Sequence, residues 1–260
     1  MPASPYDLTD RVAIVTGGGT GIGRATALLL AHCGADVVVA ARKQERLEET
    51  VRLVVDETGR KAVAVATDVR DEAAVQALVD TTVETFGRLD IVVNNAGGAY
   101  MKLLRDMTVA EWEKCVSLNL TSAFVMTKAA LPHLKVNGGS IVNVSSAAAS
   151  SGTIGGSAYG AAKAGLEMFT KVSSAELGPS GIRVNCVAPG LIRSEGAERS
   201  WDRAGLDTVK MSADIPVRRV GEPDELANAI VFLASDAATY ITGEVLHATG
   251  GPRITGISLD

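Results

Sequence analysis

The sequence predicts an α/β protein built as a single-domain, doubly wound, Rossmann-like parallel sheet of about seven strands with helices on both faces. Three observations predict it. Short runs of Val, Ile and Ala recur along the chain and are continuously apolar, the pattern of strands covered on both faces. Helical patterns fill the intervals, so strand and helix alternate about six times. A glycine-rich stretch lies between the first strand and the first helix.

Taken in order, "VAIV" from 12 is the first strand, and "TGGGTGIG" (16–23) leads into the helix "IGRATALLLAHCG". The runs "VVVAA" from 37 and "AVAVA" from 62 follow as strands. In "DEAAVQALVDTTVETF", Val75, Leu78, Val79, Val83 and Phe86 recur at helical spacing. After the strand "IVVNN" from 91, Thr108 and Glu111 form a capping-box pattern that opens a helix. "IVNVSS" from 141 and "IRVNCV" from 182 are strands flanking a helix that carries "GSAYGAAKAG", where alanines favour the helix and Gly160 and Gly165 weaken it. Pro223, after Glu222, suits a first helical position, and "EVLHA" from 244 is the last strand. Long helices are expected over about 108–134 and 158–178. The polar, weakly periodic segment 191–215 interrupts the alternation, and its place after a strand makes it a candidate lid, or else a solvated connector.

The whole chain, 1–260, reads as one globular domain, long enough to bury a sizeable core, with no linker and no fixed-period repeat. A net charge of −5 offers no basic footprint for nucleic acid and no polybasic face for a membrane. The N-terminal "MPASPYDLTDR" lacks a leader pattern, and no apolar run approaches the roughly 20 residues that span a bilayer, so a cytoplasmic protein is expected. Cys33, Cys115 and Cys186 read as reduced core cysteines. With His32, His133 and His247 scattered as well, no metal site is expected.

The chemistry collects at strand ends. Glycines at 17, 18, 19, 21 and 23 let backbone approach a phosphate, and the helix start supplies free N–H groups and partial positive charge, which fits a dinucleotide pyrophosphate. A carboxylate at the end of the second strand would bind the ribose of NAD, and a cation there favours the 2′-phosphate of NADP. Asp36 precedes that strand at its far end, whereas Ala41, Arg42 and Lys43 hold the useful one, so NADP is expected ahead of NAD; the alternative is that Arg42 pairs with Glu45. Further polar tips follow other strands: "TDV" at 67–69, "NNAG" at 94–97, Ser145 and Ser146, and "APG" at 188–190. On one sheet edge they imply a single elongated ligand. Tyr159 and Lys163 are four apart, so on a helix they share a face and an ammonium can bias a phenol's ionisation.

The glycine loop, "NNAG", Asn119 in "SLNL", Ser146, the Tyr159–Lys163 pair and "NCVAPG", in this order and spacing, resemble the short-chain dehydrogenase/reductase family across essentially the whole chain. The resemblance implies a catalytic tetrad of Asn119, Ser146, Tyr159 and Lys163. Ser146 is preferred to Ser145 because the family's serine lies thirteen residues before the tyrosine. Implied cofactor contacts are Gly17, Gly19, Thr20, Gly21, Ile22, Gly23, Arg42, Asp68, Val69, Asn95, Ala96, Gly97, Tyr159, Lys163, Pro189, Gly190, Ile192 and Ser194. Two positions depart from the family pattern: Thr249 stands where an Asp is frequent, and Ser194 replaces a Thr while keeping its hydroxyl.

The implied activity is hydride transfer between a nicotinamide cofactor, NADP preferred, and a ketone or secondary alcohol, with a 3-oxoacyl thioester or a bulky apolar alcohol as the expected substrate. Tyr159 would act as the acid, Lys163 would stabilise phenolate, Ser146 would polarise the carbonyl, and Asn119 would position a relay water. Hydroxysteroid dehydrogenase and enoyl-thioester reductase are alternatives within the class, and a catalytically inactive dinucleotide-binding sensor or scaffold is the alternative outside it. Arg193, Arg199 and Arg203 could offer a basic patch to a carrier protein, diluted by Glu195, Glu198 and Asp202. The family's usual homotetramer is the expected assembly.

Overall fold

The structure, a computed structural model, describes residues 4–251. Seven strands form one sheet: β1 (Val12–Thr16), β2 (Asp36–Ala41), β3 (Ala62–Ala66), β4 (Ile91–Asn94), β5 (Gly139–Val144), β6 (Ile182–Pro189) and β7 (Val245–Ala248). Their order is β3-β2-β1-β4-β5-β6-β7, and every neighbouring pair is parallel. The helices are α1 (Gly21–His32), α2 (Gln44–Thr58), α3 (Glu72–Phe86), α4 (Val109–Val116), α5 (Ser122–Asn137), α6 (Ser157–Leu177), α7 (Glu195–Ala204), α8 (Thr208–Ser212) and α9 (Pro223–Ala234).

Because successive strand residues point to opposite faces, each strand feeds two cores. Ala13, Val15, Val37, Val39 and Val93 pack with Leu30 of α1 and Leu226 and Ile230 of α9. Ile14, Val38, Val92 and Ile141 pack on the other face with Leu78 and Val79 of α3 and Met126 and Leu134 of α5. This double coverage is the physical reason the strands read as unbroken apolar runs. From β1 the chain winds towards β3, and from β4 it winds towards β7. The crevice opens between β1 and β4, where the winding reverses, and the loops after all strands meet at one edge.

Local signals hold at several helix starts. Thr108 and Glu111 form the complete capping box, and Pro223 opens α9. Three expectations need correction. The helix expected over 108–134 is α4 and α5 joined by a π-helical turn, Ser117–Thr121, and the chain stays helical to Asn137. The segment 191–215, read as only weakly periodic, contains the helices α7 and α8. Ser194 caps α7 by accepting from the Ala197 N–H at 3.2 Å, Glu195 and Glu198 fill its first turn, and Trp201 is buried. Asp36 begins β2 instead of preceding it, but its carboxylate sits at the far end, accepting from the Lys61 N–H at 3.0 Å and pairing with Arg60 at 2.9 Å. No described helix is long and apolar enough to cross a membrane, and the described residues contain no cluster of metal-ligating side chains.

Candidate active site

A cleft of about 1720 Å³ runs along the strand ends from β3 to β7. Its floor begins with the loop after β1. Thr16 Oγ1 donates to Val93 O at 3.1 Å and accepts the N–H groups of Asn95 and Ala96, both at 3.0 Å. Asn95 Nδ2 donates to Thr16 O at 2.9 Å, so this amide ties the glycine loop to the end of β4. Gly17 and Gly21 have φ of 68° and 53°, and a Cβ on Gly23 would stand 2.2 Å from Gly17 O. Only glycine lets the loop fold this closely onto the start of α1. Thr20 makes no side-chain cap there and the first turn carries no acidic residue, which leaves the α1 N–H groups for a ligand.

At the end of β2, exposed Arg42 and Lys43 line the cleft. Among the described residues neither has an ion-pair partner, and Arg42 does not pair with Glu45. Asp68, after β3, is gripped by Arg70 through contacts of 2.9 and 2.5 Å, and that guanidinium holds its pKa at about 2. Val69 is buried beside it and also lines the cleft.

The chemical group assembles between β5 and α6. Tyr159 and Lys163 share a face of α6, with Nζ 5.8 Å from the tyrosine ring centroid. Lys163 is buried and donates to Val144 O at 2.7 Å; desolvation lowers its pKa to about 8. Burial raises the Tyr159 pKa, and the hydrogen bond with Ser146 opposes this without prevailing. Desolvation of the phenol is the largest of these effects. The two serines separate cleanly. Both line the cleft, but Ser145 is buried and donates to Glu167 Oε1 at 2.9 Å, whereas Ser146 is half-buried and accepts from the Ala148 N–H at 3.2 Å.

Every site residue expected from the sequence lines this cleft except Gly23 and Asn119. Gly23 acts through backbone approach. Asn119 lies on the π turn, buried behind the loop after β4. Its Nδ2 donates to Gly98 O at 3.1 Å and Cys115 O at 3.0 Å, and its Oδ1 accepts from the Gly98 N–H at 3.0 Å. The amide is therefore occupied in holding the loop, and it does not present a free donor to a relay water. A Cβ on Gly97 would lie 2.8 Å from Asn119 Oδ1 and 3.3 Å from Lys163 Nζ, so glycine there lets the two groups converge. Insertion of one residue into the helix turns Asn119 inward, and no sequence periodicity signals it.

Other placements add detail to the sequence reading, and Lys114, Leu118 and Ile215 were outside it. Ser194 packs against the glycine loop, where a Cβ on Gly21 would stand 2.9 Å from Ser194 Cβ. Arg199, Trp201 and Ile215 line the cleft from the segment of α7 and α8, and Lys114 and Leu118 line it from the helix bearing Asn119. The α7 signal was legible: a Ser N-cap, two acids in the first turn and a closing Gly205.

The cleft crosses the reversal point of the sheet, offers a pyrophosphate cradle that any Cβ would fill, and ends beside a tyrosine and a lysine. These residues fit a nicotinamide dinucleotide. Fold and site together define a dinucleotide-dependent oxidoreductase. Comparison with known proteins narrows the class. Residues 17–252 match the family model described as "Enoyl-(Acyl carrier protein) reductase". The 3-oxoacyl-[acyl-carrier-protein] reductase of Synechocystis sp. is 41% identical over 94% of this chain and 97% of its own length. The cis-4-hydroxycyclohexanecarboxylate dehydrogenase of Sinomonas cyclohexanicum is 42% identical over 93% and 96%. A crystal structure of a short-chain type dehydrogenase/reductase from Mycobacterium marinum superposes with a TM-score of 0.89 at 33% identity, covering 95% of this chain and 96% of that one. The chain belongs to the short-chain dehydrogenase/reductase family and is an oxidoreductase acting on ketone and alcohol groups with a nicotinamide cofactor.

Proposed function

We propose that the protein is an NADP(H)-dependent carbonyl reductase in which Tyr159 is the proton donor, Lys163 and Ser146 are its partners, and Asn119 is a positioning residue. The observation that carries this reading is the meeting of Ser146, Tyr159 and Lys163 in the same cleft as the glycine loop. The reduced nicotinamide, when bound, supplies hydride to the carbonyl carbon. Tyr159, kept protonated by burial, gives its proton to the oxygen as negative charge develops there. Ser146 donates to that oxygen and orients it. Lys163, with a pKa near 8, is mostly protonated at pH 7; it stabilises the phenolate left behind and has N–H donors for the cofactor ribose.

Arg42 and Lys43 at the end of β2 support NADP over NAD, since no carboxylate stands there and Asp68 is neutralised by Arg70. The remaining cofactor contacts proposed are the glycine loop, Val69, the backbone of Asn95–Gly97, and Pro189, Gly190, Ile192 and Ser194. We take chain 1–260 as one domain. In it 191–215 acts as the lid, pinned at its base by Arg193 N–H to Gly221 O at 2.8 Å and Gly221 N–H to Leu191 O at 2.9 Å. A 3-oxoacyl thioester suits the Synechocystis relative's named reaction, and buried Trp201 suits an apolar chain. A carrier-protein patch finds little support, because Arg193 pairs with Glu222 at 3.1 Å and Arg199 with Glu195 at 3.5 Å. Exposed Phe124, Met168 and Val172 on α5 and α6 support a homotetramer, which light scattering tests. A reducing, cytoplasmic compartment suits the three free cysteines.

The decisive variant is Tyr159→Phe. It is expected to lose at least about a hundredfold in kcat, the low end of general-acid contributions, while NADPH affinity stays within a few fold. Retention of wild-type turnover on a ketone panel would sink the mechanism.

A further inference from the structure

Resting on the reading of the cleft as a carbonyl-reducing site, we infer that the substrate carries an anionic group, set apart from the ketone by an apolar stretch, and that Lys114 is the residue that selects it. Among the described residues lining the cleft, Asp68 is the single carboxylate, and Arg70 neutralises it. Arg46 and Arg199 share Glu195, at 3.7 and 3.5 Å. Apart from Lys163, which proton transfer uses and which bonds Val144 O, the lining Lys and Arg side chains without a carboxylate partner fall at two places. Arg42 and Lys43 stand at the β2 end, where the dinucleotide's phosphate is expected.

Lys114 stands on α4, exposed at the cleft. Leu118, in the π turn that follows α4, lines the cleft with it. Leu118, Met101 and Ala148 give the cleft apolar lining, and Thr153 adds a hydroxyl. An ammonium in a cleft with this apolar lining fits an amphiphilic anion. It offers nothing to a neutral sterol or alcohol that a leucine would not offer better. The chain as a whole carries a net charge of −5, so it repels anions except where a local positive potential draws them in. Lys114 is one turn away from the π turn that holds Asn119, which places selection near the reacting groups without making Lys114 one of them.

The test uses the full-length protein with NADPH and matched ketones: 4-oxopentanoate and 6-oxoheptanoate against their methyl esters, and acetoacetyl-CoA against acetoacetyl-N-acetylcysteamine. Wild type is expected to prefer the anionic member of at least one pair, and the pair shows whether a carboxylate or the phosphates of a nucleotide thioester are read. Lys114→Gln should raise KM for that anion about tenfold, with kcat within twofold and the neutral partner unaffected; Lys114→Arg should restore most of it. Binding of heptanoate and of coenzyme A to the NADP⁺-loaded protein, followed by calorimetry, gives a readout independent of turnover. If no ketone is reduced, the carbonyl-reductase reading fails, while weakened anion binding in Lys114→Gln still upholds the anion site. Equal kinetics on acid and ester in wild type, or equal losses on both in Lys114→Gln, would overturn it.

Discussion

Replacing Lys163 with methionine separates what this lysine does for chemistry from what it does to the fold. Desolvation takes its pKa from 10.5 to about 8, and at 1.36 kcal/mol per pH unit the charged form costs the folded state about 3 kcal/mol. Against this, methionine leaves Val144 O without its 2.7 Å partner, which costs about 1–3 kcal/mol. At pH 7 Lys163→Met should therefore be as stable as wild type or more so, although it removes a buried hydrogen bond. The sign with pH follows from proton binding. Between pH 8 and 10.5 the unfolded chain still holds the lysine proton and the folded chain has released it, so wild-type stability rises through this window. The stability difference, wild type minus Lys163→Met, should climb by about 3 kcal/mol from below pH 8 to above 10.5, while the other titrations cancel. Urea denaturation of the cofactor-free proteins at pH 7, 8, 9 and 10 measures it, and turnover at pH 7 should fall at least about a hundredfold. A difference that is flat, or that shrinks as pH rises, would refute the account of Lys163 as a buried ammonium.

Two further substitutions probe neighbouring parts of the site. Ser145→Ala should cost about 1–3 kcal/mol in urea denaturation by stripping Glu167 of its hydroxyl, with turnover partly retained, whereas Ser146→Ala should cost about 1 kcal/mol for the lost cap of the Ala147–Ala149 turn and at least a hundredfold in kcat. Equal kinetic effects at the two positions would contradict the division of roles. Arg42→Ala should raise KM for NADPH about tenfold and leave KM for NADH within twofold, as expected when one charge-assisted phosphate contact is lost; parallel losses on both cofactors would remove Arg42 from the specificity argument.

The architecture was readable because a parallel sheet covered on both faces has to be continuously apolar, and Val37–Ala41 or Ile91–Val93 carry that requirement in their residue types. Gly17, Gly21 and Gly23 were readable for a related reason: their conformation and close contacts exclude any side chain. The Tyr159–Lys163 spacing fixed a shared helix face, which is a local property. What local patterns could not decide were outcomes of competition between groups far apart in the chain. Whether Tyr159 is pulled towards phenolate depends on burial against the charge around it, and burial depends on what packs over α6. Whether Asn119 offers its amide to water or to Gly98 depends on a π turn that seats it beside a loop from β4. The placing of Lys114 in the cleft, without a carboxylate, likewise emerges only when α4 is laid against the ends of the strands. Sequence alone determined which backbone and which reactive groups exist; the tertiary structure decided their environment, and desolvation and hydrogen-bond partners, which set their chemistry, are properties of that environment.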